Sequence, residues 1–310
     1  MNVLPDSLRL LYRKFRHYLR YPAMRAEDNA MLLAGRRLET IINSPVVRDL
    51  REVELRVFSQ WGEDGIIQYL ISKIPIENDV FIEFGVEDYR ESNTRFLLRN
   101  NNWRGLVIDG DPLNIMSIRD ERISVYHDVQ PVCAFVTREN INGLISGAGL
   151  SGDAGLLSID IDGNDYWVWK NITVVSPRIV ICEYNGIFGD ELAVTVPYDP
   201  GFTKEKAHYS RLFFGASLPA LCMLAGEKGY DFVGSTSAGN DAFFVRKDLS
   251  SAIRKMSAKE GYREIRARDS RGRRGEKTFI SGADRFRAIE HLQVFDVRSG
   301  KTARLGSIGR

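Results

Sequence analysis

Glu83, Asp109, Asp160 and Glu183 each close an apolar run of strand character. Acids so placed can hold hydroxyls, an ammonium group or a hard cation. The first run is Asp79-Val-Phe-Ile-Glu-Phe-Gly-Val-Glu87, and the second, Gly105-Leu-Val-Ile-Asp-Gly-Asp111, brings an acid 26 positions after Glu83. A glycine after a strand lets the backbone pass close to a ligand, and the acid ending the next strand can accept hydrogen bonds from ribose hydroxyls. Nicotinamide enzymes place G-x-G-x-x-G here to cradle a pyrophosphate. This chain has the single glycine Gly85, flanked by Glu83 and Glu87. Those acids repel a pyrophosphate but suit an ammonium or sulfonium group. The combination points to S-adenosylmethionine.

Asp160-Ile-Asp162 is the second signal. Alternation along a strand puts both carboxylates on one face. Glu183 closes the next strand and Asn185 follows two positions later. Asp160, Glu183 and Asn185 are therefore candidate oxygen ligands for Mg²⁺. Asp162 is the best-placed general base, and His208, in Lys204-Glu-Lys-Ala-His-Tyr209, is the best by chemistry. Tyr166, Tyr184 and Tyr198 suit either a sugar pocket or the core. Ser59-Gln-Trp-Gly-Glu-Asp-Gly65 precedes a helix of apolar period, where Ser59 or Asp64 suits a capping turn.

The elements that must position these residues alternate. Strands are expected at 80–84, 105–109, 122–126, 155–161, 178–183, 230–234 and 241–246. Helices are expected at 62–73, 91–101, 112–119, 137–146, 164–171 and 216–228. Alternation of this kind builds a mostly parallel sheet with helices on both faces. Too few residues separate the last two strands for a helical crossover, so they form an antiparallel hairpin.

Several blocks resemble the FkbM-like and related S-adenosylmethionine-dependent methyltransferases. They are Phe58-Ser-Gln-Trp-Gly-Glu-Asp-Gly-Ile66, Phe81-Ile-Glu-Phe-Gly-Val-Glu87, Glu91-Ser-Asn-Thr-Arg-Phe-Leu97 and Ser158-Ile-Asp-Ile-Asp-Gly-Asn-Asp165. Val196-Pro-Tyr-Asp-Pro200, Phe214-Gly-Ala-Ser-Leu218 and Asn240-Asp-Ala-Phe-Phe-Val245 continue the likeness to about residue 246. The resemblance implies a Rossmann-like α/β fold with a seven-stranded sheet. It also implies a cofactor site in which Glu83 and Gly85 face the methionine end and Asp109 the ribose. Asp128, after the expected third strand, would meet the adenine amine. Ser59, Gln60 and Asn93 would add polar contacts, and Asp160 would border both cofactor and metal. Sugar and small-molecule O-methyltransferases that chelate a metal look similar at Asp160 and Glu183. This chain departs from them by offering Glu183-Tyr-Asn185 where two adjacent acids are usual.

The implied activity is transfer of a methyl group to a hydroxyl of a sugar or other small polar acceptor. A metal-dependent glycosyltransferase using Asp160-x-Asp162 and a non-catalytic scaffold are the rival readings. The net charge of +2 divides into +5 over residues 1–26, +9 over 249–310, and −12 between them. An acidic body argues against nucleic acid at the central site. Residues 1–50 read as a helical extension, 51–248 as the cofactor-binding domain and 249–310 as a basic extension, with Arg304–Arg310 disordered. Leu4, Leu8, Leu11, Phe15 and Leu19 lie beside Arg9, Arg13, Arg16 and Arg20, giving a basic amphipathic helix. It suits packing on the protein itself, a second subunit or an anionic membrane surface. Cys133, Cys182 and Cys222 are too scattered for a disulfide framework or a zinc site, and no signal peptide or membrane span is visible. A cytoplasmic protein is expected, with peripheral contact at the membrane surface as the further reading of the basic helix.

Overall fold

The computed structural model describes residues 31–308 other than 32, 33, 36 and 122. The basic helix expected over 4–20 lies outside them; of the second helical stretch, 37–42 is helical. Seven strands form the main sheet in the order β3-β2-β1-β4-β5-β8-β7. They are β1 (Val80–Phe84), β2 (Arg104–Asp109), β3 (Val129–Cys133), β4 (Gly152–Ile159), β5 (Val175–Glu183), β7 (Tyr230–Ser235) and β8 (Asp241–Arg246). β8 alone is reversed, antiparallel to both β5 and β7. The fold is Rossmann-like, with the hairpin expected near its end.

Burial on both faces explains the continuous apolar runs of these strands. Val80, Ile82 and Phe84 meet one core layer with Ile141, Ile145 and Trp169. Phe81 meets the other with Ile66, Leu70, Leu97 and Ile118. Helices α1 (Glu63–Lys73), α2 (Arg95–Asn100) and α3 (Pro112–Asp120) supply the second layer. Helices α4 (Ile141–Gly147), α5 (Asp165–Asn171) and α6 (Leu218–Lys228) supply the first.

One strand expectation is corrected. Ile123–Tyr126 is a helical turn with Val125 and Tyr126 exposed, and the third strand is Val129–Cys133. Pro131 disguises it, since proline cannot donate to a ladder and is confined to edge strands such as this one.

The C-terminal stretch folds back on the segment after β5. β6 (Val194–Thr195), β9 (Gln293–Asp296) and β10 (Lys301–Arg304) form a second, antiparallel sheet. Phe188, Val194, Leu212, Ile289, Val294 and Leu305 fill its core, with Ile289 closing α7 (Ala283–Ile289). Leu305 is buried and the described chain continues to Ile308, so the expectation of disorder from Arg304 does not hold for 304–308. Among the described residues no helix is long and apolar enough to cross a membrane.

Candidate active site

The strand order reverses between β1 and β4, and ligands of open α/β sheets bind at the carboxyl ends beside such a switch point. A cavity of about 840 Å³ lies there. Its lining includes ten carboxylates (Glu83, Glu87, Glu91, Asp109, Asp111, Asp160, Asp162, Glu183, Glu205 and Asp241) against one cation, Lys204. Such a cleft selects against anionic ligands.

Gly85 shapes its floor. The residue sits at φ +74, and a Cβ there would lie 1.6 Å from the Asp160 carbonyl oxygen. Only glycine lets the β1 turn meet the β4 turn so closely.

On the β1–β2 side, backbone donors hold the acids in place. Glu83 is buried and accepts from Asn93 N at 2.9 Å, Thr94 N at 3.1 Å and Ser92 Oγ at 2.6 Å, with Thr94 Oγ1 also donating. Burial raises its pKa, and these donors oppose the rise. Asp109 accepts from Glu87 N at 2.9 Å through Oδ2, and from Asp111 N at 2.8 Å and Asn114 Nδ2 at 2.9 Å through Oδ1. Oδ2 thus keeps capacity for one further donor. Asn93 lines the same side and bonds Ser158 Oγ at 3.2 Å. Gln60 is exposed on the cavity rim.

On the β4–β5–β8 side Glu183 and Asp241 each keep a buried oxygen without a donor among the described residues. One oxygen from each of Asp160, Asp165 and Glu183 lies within 4.8 Å of the others. Glu183 Oε2 is buried with no hydrogen-bond partner among the described residues. Burial, then the charges of neighbouring acids, pushes the pKa of both Asp160 and Glu183 well above the usual carboxylate range. Asp165 accepts from Ile161 N and Gly163 N, both at 2.9 Å, and burial pushes it up to about 6. It ties down the 160–163 turn. Asp241 is buried, its Oδ1 also unpartnered, and burial followed by Glu63 and Asp160 raises its pKa well above normal.

Asp162 adopts φ +55 and receives Lys204 Nζ at 2.6 Å. Burial alone would lower the Lys204 pKa, but Asp162, Glu183 and Asp160 raise it. The 199–204 segment is strapped over this turn: Asn164 Nδ2 donates to Asp199 O at 2.8 Å, and Phe202 fills the space that a Cβ on Gly163 would need.

Four expected site residues lie elsewhere. Ser59 is fully buried and exchanges hydrogen bonds with Asp64, so it shapes the turn before α1. Asp128 is exposed and precedes β3 at the amino edge, where its carbonyl accepts from Gly105 N. At the other end of β3 the cavity meets Ala134, Phe135 and Val136, with no acid among them. Asn185 is fully buried outside the cavity lining: it donates to Leu212 O and Phe214 O, both at 3.0 Å, and accepts from Ile187 N. His208 is buried beside Ser210 Oγ (2.7 Å), Tyr209 and His291, away from the cavity lining. Tyr166 and Tyr184 belong to the core, and Tyr198 bonds Glu139.

Asp165, Asp241, Lys204 and Phe135 were not singled out from sequence. Asp241 had a signal: the first residue of a reversed strand lies on the same sheet edge as the last residues of parallel ones, and Asp241 stands opposite Glu183.

No known protein family and no curated protein matches this chain. The solved structures it resembles are S-adenosylmethionine-dependent methyltransferases. The N-terminal domain of EvdMO1 in the presence of SAH and D-fucose is 11% identical, with 68% of this chain and 92% of that chain covered and a TM-score of 0.39. The O-methyltransferase from Bacillus cereus in complex with SAH is 17% identical over 54% of this chain and 72% of that one, at 0.35. A SAM-dependent methyltransferase from Aquifex aeolicus is 8% identical over 59% and 88%, at 0.34. Likeness of this degree carries no argument about activity, which has to rest on the site itself.

Proposed function

We propose that the chain is an S-adenosylmethionine-dependent O-methyltransferase acting on a hydroxyl of a sugar or other small polar acceptor, with 51–248 as its catalytic unit. One observation carries the reading: the switch-point cleft joins a single-glycine turn to Asp109, whose free acceptor capacity faces a strongly acidic cavity. That cavity suits a ligand with ribose hydroxyls and positive charge and repels a dinucleotide.

In this reading Glu83 complements the methionine ammonium, Asp109 Oδ2 accepts from the ribose, and the half-exposed Phe135 offers a ring face at the adenine end. The cofactor supplies a sulfonium-activated methyl group. Asp160 and Glu183 fit a hard divalent cation, because an oxygen of each lies within 4.8 Å of the other and Glu183 Oε2 is buried without a donor among the described residues. Asp165 keeps their turn in place. A cation held there would acidify an acceptor hydroxyl. Asp162 would take the acceptor's proton as the oxygen–methyl bond forms and the sulfur–methyl bond breaks with S-adenosylhomocysteine as leaving group, and Lys204 keeps this carboxylate oriented.

Calorimetric titration with S-adenosylhomocysteine and with a nucleotide sugar, each with and without Mg²⁺, tests the reading. Binding of S-adenosylhomocysteine supports it. Binding of the nucleotide sugar alone would overturn it in favour of a glycosyltransferase, and binding of neither in favour of a scaffold.

A further inference from the structure

The strongest unexplained feature outside the cleft is the basic segment 263–277, which carries seven Lys/Arg and three acids. Arg266, Arg268, Arg273, Arg274 and Lys277 are all exposed, and none has an ion-pair partner among the described residues. The segment is nonetheless fixed. Arg285, 3% exposed, gives its guanidinium to the carbonyls of Ile265, Ala267 and Ile280, while Ser270 is buried against Thr278 and Ile280 N. Arg271 and Lys277 pair antiparallel and close 271–277 into a hairpin.

Its position gives the charge a meaning. Arg266 N donates to Ala238 O, two residues before the cavity-lining Asn240 and Asp241. Arg271 N donates to Ser210 O, and Arg273 lies over the Tyr209 ring at 4.8 Å, just beyond the cavity-lining 203–205. The 266–277 segment therefore runs between two elements of the acceptor-side rim. An acidic cleft beside unneutralised guanidinium groups carried on a fixed backbone matches a ligand with a neutral hydroxyl-bearing end and an anionic remainder. Guanidinium forks suit phosphate oxygens in particular.

Resting on the reading of the cleft as a methyltransferase site, we propose that the acceptor is a sugar carried on a diphosphate, its hydroxyl in the cleft and its diphosphate on the basic 266–277 segment. A nucleoside diphosphate and a lipid diphosphate share this chemistry. The test titrates the S-adenosylhomocysteine-loaded full chain with uridine diphosphate glucose, and with phosphatidylcholine vesicles with and without farnesyl diphosphate. It is repeated for a variant carrying Arg266→Ser, Arg273→Ser and Arg274→Ser. Diphosphate binding that falls at least tenfold in the variant and weakens with salt is expected, with S-adenosylhomocysteine affinity kept within twofold. Response to the nucleotide sugar alone identifies a soluble carrier; response to the doped vesicles alone identifies a lipid carrier. No binding to either probe by a chain that binds S-adenosylhomocysteine, or equal binding by the variant, would overturn the proposal. Absence of S-adenosylhomocysteine binding would instead overturn the reading beneath it.

Discussion

The two halves of the cleft are both acidic, yet they are built in opposite ways. Beside β1 and β2, Glu83 and Asp109 are met by amide, hydroxyl and carboxamide donors from the following turns. Beside β4, β5 and β8, Glu183 and Asp241 keep buried oxygens without donors, and Asp160 stands among other acids. A carboxylate satisfied by its own backbone holds a fixed shape with or without a ligand. One left desolvated among like charges is costly until a proton or cation joins it. The first half therefore keeps its shape without a ligand, and the second gains from added positive charge.

The harshest way to break this contrast is to separate the halves. Gly85→Ala drives a Cβ into the Asp160 carbonyl at a positive φ, so a loss of roughly 3 kcal/mol or more is expected in urea unfolding. Parent-like stability would contradict the close contact of the two turns.

A second test is stability against pH. Asp64 and Asp165 are pushed up to about 6 by burial, so the native state binds more protons than the unfolded chain between about pH 4 and 6. Stability should fall as pH rises through that window, by at most about 2–3 kcal/mol per group. Asp160, Glu183 and Asp241, raised well above normal, extend the decline to higher pH. Mg²⁺ or Mn²⁺ should therefore raise the melting temperature more at pH 8 than at pH 5. A flat pH profile with no metal response would remove the distinction between the halves.

A milder change sharpens it. Asp241→Asn replaces a desolvated acid with a neutral shape-mimic, so the metal-free protein should gain about 1 kcal/mol at pH 8 and little at pH 5. Equal effects at both values would show that Asp241 carries no charge strain. The smallest expected effect is Lys204→Met, which should cost about 0.2–1 kcal/mol because its partner Asp162 is 44% exposed, while turnover falls and S-adenosylhomocysteine still binds. Unchanged turnover would leave Lys204 without a role in orienting Asp162.

The same division decided what could be read in advance. The β1–β2 half follows from local sequence: apolar runs buried on both faces mark β1 and β2, and their closing acids and Gly85 fall where such runs must end. The acceptor half depends on contacts distant in sequence. Alternation was extended past Glu183, but the chain leaves the strand there and Asn185 caps the turn Gly186–Phe188. His208 is enclosed partly by His291, far along the chain, and Lys204 meets Asp162 across 42 positions. Asp128 failed for a local reason, because the proline-bearing edge strand was placed too early. Asp241 lies outside the pattern of acids at strand ends, because on a reversed strand the start takes that place.

The most direct test of the account is the affinity for S-adenosylhomocysteine of the parent, Asp109→Ala and Glu183→Gln, measured by calorimetry without metal. Loss of the ribose contact should weaken Asp109→Ala by about 1.5–3 kcal/mol, roughly 10- to 150-fold, while Glu183→Gln stays within about twofold. An Asp109→Ala variant that folds and binds S-adenosylhomocysteine as the parent does would contradict the assignment of the β1–β2 half to the cofactor.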